Sequence, residues 1–296
     1  AIGYAMQAIE IAGEVGARAV VVHLGGIGNV RRQEESRLRA LCAEGITTGD
    51  EVAHLRADLR AWREASAPPY LAAARRSLSE LAAHARRRGV VLGLEDRFNF
   101  HEIPSIDETA MLLLEHGPEA VGYWHDTGHA EVMHRLGLVE RGDWLRRLGS
   151  RTVGTHINDV DIVTDHRAPG EGTSPWDELL TGIPETAIRV FEINQHRPDE
   201  ALRRGLDVIA AEFGDLTKAS VIDTACAEGY FLHGLAARGA RRCIGYDLSP
   251  RVLDTNRFLN RILEHRVEVY AIPYNMRMHT IPGSEPADIV ISSAIM

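Results

Sequence analysis

The first two thirds of this 296-residue chain predict a parallel α/β fold, with a (β/α) barrel as the simplest arrangement. Three observations carry the prediction. Short β-rich runs alternate with helical patterns. The later runs recur at roughly thirty residues, the length of one βα unit. The runs are also apolar almost throughout, as strands buried on both faces must be. Five such runs can be read, about five of the eight strands a closed barrel needs. Beyond about residue 213 a new strand–loop–helix pattern begins, predicting a partial Rossmann-like sheet over 214–296 after a barrel portion over 1–213.

The opening AIGYAMQAIEIAGEV starts inside a helical pattern and without Met, so a further segment is expected upstream. It lacks a basic leader before an apolar core, so it does not read as a signal peptide. RAVVVHLG (18–25) is the first strand, and helices are expected over 32–44, 49–66 and 70–87, all rich in Ala, Leu, Arg and Glu. GVVLGLED (89–96) is the second strand. SIDETAMLLLEHG then offers Ser105 as N-cap, acidic residues in the first turn and Gly117 as a stop. AVGYWHDT (120–127) is the third strand, followed by a turn at Gly128. RTVGTHIN (151–158) is the fourth. SPWDELLTG has Ser174 as N-cap and Pro175 at the first helical position, with Asp177 and Glu178 behind it. AIRVFEIN (187–194) is the fifth strand and ALRRGLDVIAAEF (201–213) an amphipathic helix. After the polar break GDLTK, the stretch 221–239 reads as strand, loop and helix, and RRCIGYDLSP (241–250) as the next strand.

Composition narrows the function classes. Hydrophobic residues make up 45% and charged residues 25%, ordinary for a globular protein. A formal net charge of −9 argues against a surface built for nucleic acid, which needs clustered Lys and Arg. Three scattered cysteines form neither a disulfide framework nor a thiolate metal site, which points to reduced cytoplasm. No stretch is long and uncharged enough to span a membrane.

The chemistry sits at the strand ends. The apolar runs finish in His23, Glu95, Asp126, His156 and Glu192, with His129 just past the third strand. In parallel α/β folds, sites are built at the carboxyl ends of the strands. One such residue alone is an ordinary cap or loop residue; five successive strands ending this way indicate a shared site. Burying three carboxylates together costs many kcal/mol or forces protonation unless a cation joins them. Two Glu, one Asp and one His suit Mn²⁺, Mg²⁺, Co²⁺ or Zn²⁺. Arg97, two residues after Glu95, is placed either to anchor a phosphate or substrate oxygen or to pair with a neighbouring carboxylate. His166 precedes a loop in which Gly170 and Gly172 allow a tight turn or close backbone approach to a ligand. His125 has the opposite strand parity to Asp126 and should lie outside the site.

The ordered motifs HLGG, GLEDR, HDTGHA, THINDV, HRAPGEG and FEI resemble those of the xylose-isomerase-like TIM barrels, over roughly residues 1–213. That superfamily includes sugar-phosphate isomerases, epimerases and the apurinic-site endonuclease IV. The resemblance implies that Glu95, Asp126, His156 and Glu192 hold a single divalent metal. It implies that His129 contacts substrate and that His23 and His166 stand at positions holding further zinc ions in the endonuclease. It implies sugar chemistry in which Glu95 and Glu192 remove and return a proton through a metal-stabilised enediolate. It also makes the HLGG strand about the fourth of eight. The endonuclease has an Asp two residues before the loop His; here that position is Thr164, and Asp165 is one place off. This departure and the acidic charge favour an isomerase or epimerase over a zinc phosphodiesterase.

The second region has a Gly-containing loop after one strand and an acidic residue at the end of the next, about twenty residues on, a nucleotide-binding arrangement. The D-x-x-C-x-E-G form at 223–229, GYDLSP and ADIVISSAIM resemble the first half of a class I S-adenosylmethionine-dependent methyltransferase. By that resemblance Asp223 and Gly229 lie near the methionine moiety, Asp247 binds the ribose hydroxyls and Asn275 lies on the adenine side. Ala225 and Ala227 stand where that family has Gly, and the acceptor-binding half is expected beyond the end. Four readings therefore stand: an isomerase or epimerase for a sugar-like small molecule fused to a methyltransferase-like region, a zinc phosphodiesterase, a methyltransferase with an accessory barrel, and a catalytically inactive fragment.

Overall fold

The alternating apolar runs fold as parallel strands in the computed structural model, which describes residues 2–28, 31–194, 199–224, 226–247, 249–271 and 287–293. The chain divides into two units. The first comprises residues 1–156, 160–165 and 174–188; the second comprises 157–159, 166–173 and 189–296.

In the first unit, α1 (Ile2–Val15) leads into β1 (Ala19–Val22), and α2 (Gln33–Ala43), α3 (Asp50–Ser66) and α4 (Pro68–Arg88) lie between β1 and β2 (Val91–Glu95). α4 starts with prolines in its first turn, ends on three arginines and is closed by Gly89 in the left-handed region (φ 69°). α5 (Ile106–Glu115) follows β2, and its expected cap is a full capping box: Ser105 Oγ accepts from Glu108 N and the Glu108 carboxylate accepts from Ser105 N. β3 (Val121–Asp126) runs directly into α6 (Thr127–Arg135), followed by α7 (Asp143–Leu148) and β4 (Thr152–Ile157). β1, β2, β3 and β4 pair in that order, all parallel.

Strand parity divides the residues as the period of two requires. Leu92, Leu94, Val121 and Tyr123 face the helices and join one apolar core with Leu78, Leu81 and Ala85 of α4 and Leu112 of α5. Gly93, Glu95, Trp124, Asp126, Gly154 and His156 hold the other parity. A second cluster packs Leu38, Val52 and Leu59 of α2 and α3 against Val132 and Met133 of α6.

Two local expectations are corrected. Gly128 is not a turn: Asp126 is the N-cap of α6, its carboxylate accepting from His129 N, so Gly128 lies inside the helix. Ser174 does not cap α8 (Trp176–Leu180); Pro175 occupies the cap position, and Ser174 Oγ accepts instead from Val160 N. The cap was diverted by a long-range partner that the local sequence does not reveal.

Between β4 and α8 stand two short strands, β5 (Asp159–Asp161) and β6 (Thr164–Arg167). The second unit contains β7 (Ile188–Ile193), α9 (Asp199–Phe213), β8 (Ser220–Thr224), α10 (Tyr230–Ala237), β9 (Arg242–Asp247), α11 (Arg251–Leu263), β10 (Val267–Ala271) and β11 (Ile289–Ser293). Its parallel strand order is β7-β11-β8-β9-β10. β11 lies between β7, which the sequence groups with the barrel, and β8, which opens the second region. Ala225 and Asn275 lie outside the described residues. Among the described residues no helix is long and apolar enough to cross a membrane.

Candidate metal and proton-transfer site

Three strand ends of the first unit converge. Glu95 closes β2, Asp126 closes β3 and His156 lies near the end of β4; Glu95 is 2% exposed and Asp126 0%. Each offers one ligand atom within 4.8 Å of the others. His156 Nδ1 is 2.5 Å from Glu95 Oε1 and 3.6 Å from Asp126 Oδ2. His23, just past β1 and half exposed, places Nε2 in hydrogen-bond contact with Glu95 Oε2. Burial pushes the Glu95 carboxyl up, but the hydrogen bonds from His156 and His23 outweigh it and hold Glu95 well below the usual carboxylate range. Two buried carboxylates facing a ring nitrogen form an oxygen-rich set of the kind that holds a divalent ion.

His129, in the first turn of α6, points back toward this cluster. Its Nδ1–H donates to the Asp96 carbonyl (2.8 Å), which leaves Nε2 on the side of the Asp165 carboxylate at 3.5 Å. Burial alone would lower its pKa; the carboxylates of Asp126, Glu95, Asp165 and Asp96 together raise it.

Behind Asp126 lies a buried polar chain that sequence reasoning missed. His125 Nδ1–H donates to the Tyr123 hydroxyl, which donates to Asp96 Oδ1, which also accepts from Asp126 N; each contact is 2.8 Å. Burial, then the charge of Asp126, pushes the Asp96 carboxyl up to about 7, and burial pushes His125 down to about 4. His125 thus supports the backbone of Asp126 from the opposite face. The signal available was LEDR itself, where Asp96 has the opposite parity to Glu95.

The floor of the cluster is Trp124. A Cβ on Gly154 would lie 2.1 Å from its ring and one on Gly93 2.9 Å, so the indole needs glycine on both neighbouring strands. Its ring meets His156 edge-on at 5.2 Å. Arg97 is engaged by carboxylates: Nη1 donates to Glu95 Oε2 (3.3 Å) and Nη2 to Glu102 Oε1 (2.7 Å).

In the second unit, His166 and Glu192 form a pair, Nε2 to Oε2 3.6 Å. The His166 backbone is held by Asn158, whose Oδ1 accepts from His166 N, and by Asn194 N, which donates to His166 O. His166 adopts a left-handed conformation (φ 55°) that few residues other than Gly accept. Gly170 N and Gly172 N both donate to Asp159 Oδ2 at 2.9 Å, so the Gly-rich loop closes on a carboxylate of its own unit. Asp247 ends β9 and accepts from Ala227 N (2.9 Å) and Ser249 N (2.8 Å). Gly229 is the N-cap of α10 in the left-handed region, and Asp223 is buried in β8.

The family described as xylose isomerase-like TIM barrel matches residues 1–212. No curated protein matches the chain. Among solved structures, a D-tagatose 3-epimerase-like protein aligns at 19% identity over 71% of this chain and 69% of its own, with a TM-score of 0.43. A D-psicose 3-epimerase aligns at 21% identity over 49% of this chain and 57% of its own, TM-score 0.40. A 3-keto-D-glucoside 4-epimerase from E. coli aligns at 18% identity over 71% and 85%, TM-score 0.38.

Proposed function

The chain belongs to the xylose isomerase-like TIM barrel family, and from that premise we propose that it is a divalent-metal-dependent isomerase or epimerase of a sugar or sugar phosphate. The observation that carries the reading is the convergence of Glu95, Asp126 and His156 at successive strand ends, two of them fully desolvated carboxylates. Such a set is stable when a cation joins it. We assign Glu192 as the fourth ligand, on the strength of the sequence resemblance. A bound divalent ion would supply Lewis-acid stabilisation of negative charge developing on the sugar oxygens.

The side chains do the rest. Glu95 and Glu192 remove and return the proton on the carbon next to the carbonyl. His129, with Nδ1 committed to Asp96, presents Nε2 to a sugar hydroxyl, and we assign substrate contacts to His23 and His166 from the sequence motifs alone. Replacing Glu192 by Gln should abolish solvent-deuterium incorporation at that carbon while the fold stays intact. Retained incorporation would reject the assignment.

Asp165 stands one place off the endonuclease position, yet its carboxylate lies 3.5 Å from His129 Nε2, and that contact keeps one alternative, a zinc phosphodiesterase of the endonuclease IV type. Metal stoichiometry separates the two, one ion per chain against three zinc ions.

For residues 214–296 we assign a methyltransferase-like domain following the barrel portion over 1–213. The observation behind it is the order β11-β8-β9-β10, which reverses direction next to β8, where doubly wound sheets bind nucleotides. Asp223, Gly229 and Asp247 then hold S-adenosylmethionine. Calorimetric titration with S-adenosylmethionine tests it, and no heat at high protein concentration would remove it.

A further inference from the structure

Glu95 has more suitors than a metal ligand should. Arg97 is within reach of it, and a guanidinium that forked onto both Glu95 oxygens would compete directly with a divalent cation. The geometry shows what prevents this. Arg97 Nη2 lies 2.7 Å from Glu102 Oε1, inside the range of strong charge-assisted pairs, whereas Nη1 is 3.3 Å from Glu95 Oε2. The pair is enclosed, with the Arg97 side chain 12% and that of Glu102 17% exposed. Glu102 is itself fixed. Its Oε2 accepts from Asn99 N (2.8 Å) and Asn99 Nδ2 (3.0 Å), and its backbone carbonyl accepts from Arg63 Nη1 (2.8 Å). Asn99 is held in turn by Arg31 Nε, 2.8 Å from its Oδ1.

We infer that Glu102 is a positioning residue of the metal site: it holds the Arg97 guanidinium aside and so keeps the Glu95 carboxylate available to a divalent cation. This rests on the metal-site reading proposed above. In Glu102→Gln the amide keeps an oxygen for Asn99 but loses the charge that retains Arg97. Among the described residues the guanidinium then keeps Glu95 as its carboxylate partner and closes on it.

The test is Mn²⁺ binding by the whole chain at neutral pH, read from the electron paramagnetic resonance signal of the free ion. Glu102→Gln should weaken binding about tenfold to a hundredfold, the range seen when outer partners of metal ligands are removed. The double variant Arg97→Met with Glu102→Gln should bind within about threefold of the parent, because the competitor is gone. A double variant as weak as Glu102→Gln alone would overturn the inference, since Glu102 would then act only through its loop. Unchanged binding in Glu102→Gln would also overturn it. Should Glu102→Gln not fold, Arg97→Met alone decides: binding at least as tight as the parent is expected, and weaker binding contradicts the inference. Asp126→Asn separates this from the premise. If the parent and Asp126→Asn bind Mn²⁺ alike, the metal site itself is wrong and the inference falls with it.

Discussion

Glu95 and Asp126 in the first unit and Asp247 in the second are strand-end carboxylates with different partners, whereas Glu192 near the end of β7 pairs with an imidazole as the first two do. In the first unit, Glu95 and Asp126 are met by imidazoles from other elements: His23 beyond β1, and His156 on β4. In the second, Asp247 at the end of β9 is met by backbone N–H groups of Ala227 and Ser249. Main-chain donors satisfy a carboxylate without asking for a cation; they tie loops down. Imidazoles that converge from separate strands on desolvated carboxylates form a site whose charge is balanced by whatever binds there. A strand-end acid therefore reads as a ligand when imidazoles from other elements converge on it, even where, as at Asp126, one oxygen also caps a helix.

That contrast can be broken at its centre first. Asp126→Asn keeps an oxygen to cap α6 and should lower Mn²⁺ affinity by about a hundredfold or more, as loss of a charged ligand demands. Binding that survives would erase the difference between the units. Gly154→Ala comes next, because the new methyl group would sit inside the Trp124 ring position. Overpacking of this kind should cost about 1–3 kcal/mol in chemical denaturation. It should also weaken Mn²⁺ binding by tilting the indole against which His156 rests. Asp247→Ala should cost about 1–2 kcal/mol from the two stranded amides and leave Mn²⁺ binding untouched. A change in metal affinity there would show that the second unit's acid is not confined to its own loop. The smallest effect is expected at the cysteines. Burial raises the Cys226 thiol and pushes Cys243 up to about 12, so neither should react with a thiol reagent at neutral pH while the protein is folded. Rapid labelling of either would mean the second unit opens locally.

The barrel-like portion was legible where one local rule governs it. The runs ending in Glu95, Asp126 and His156 are apolar and bounded by turn residues, so their strands appear within about a residue or two of the expected limits. Strand parity alone separates Asp126 from His125. Ser105 followed by Glu108 is a self-contained capping signature, and it formed. What escaped notice depended on distant partners. Gly128 reads locally as a turn, but the Asp126 cap starts a helix over it. Ser174 reads as a cap, but Val160 N claims its hydroxyl. Trp124 reads as core, and its role as floor appears only once Gly93 and Gly154 are aligned on either side. Glu102 looks like a loop acid until Arg97 is found between it and Glu95.

The most direct measurement of the central claim is the metal content of the purified chain after dialysis against Mn²⁺, paired with the Asp126→Asn variant. One ion per chain in the parent, lost in the variant, is the predicted result. No bound ion in the parent, or an ion kept in the variant, would contradict a metal centre built from Glu95, Asp126 and His156.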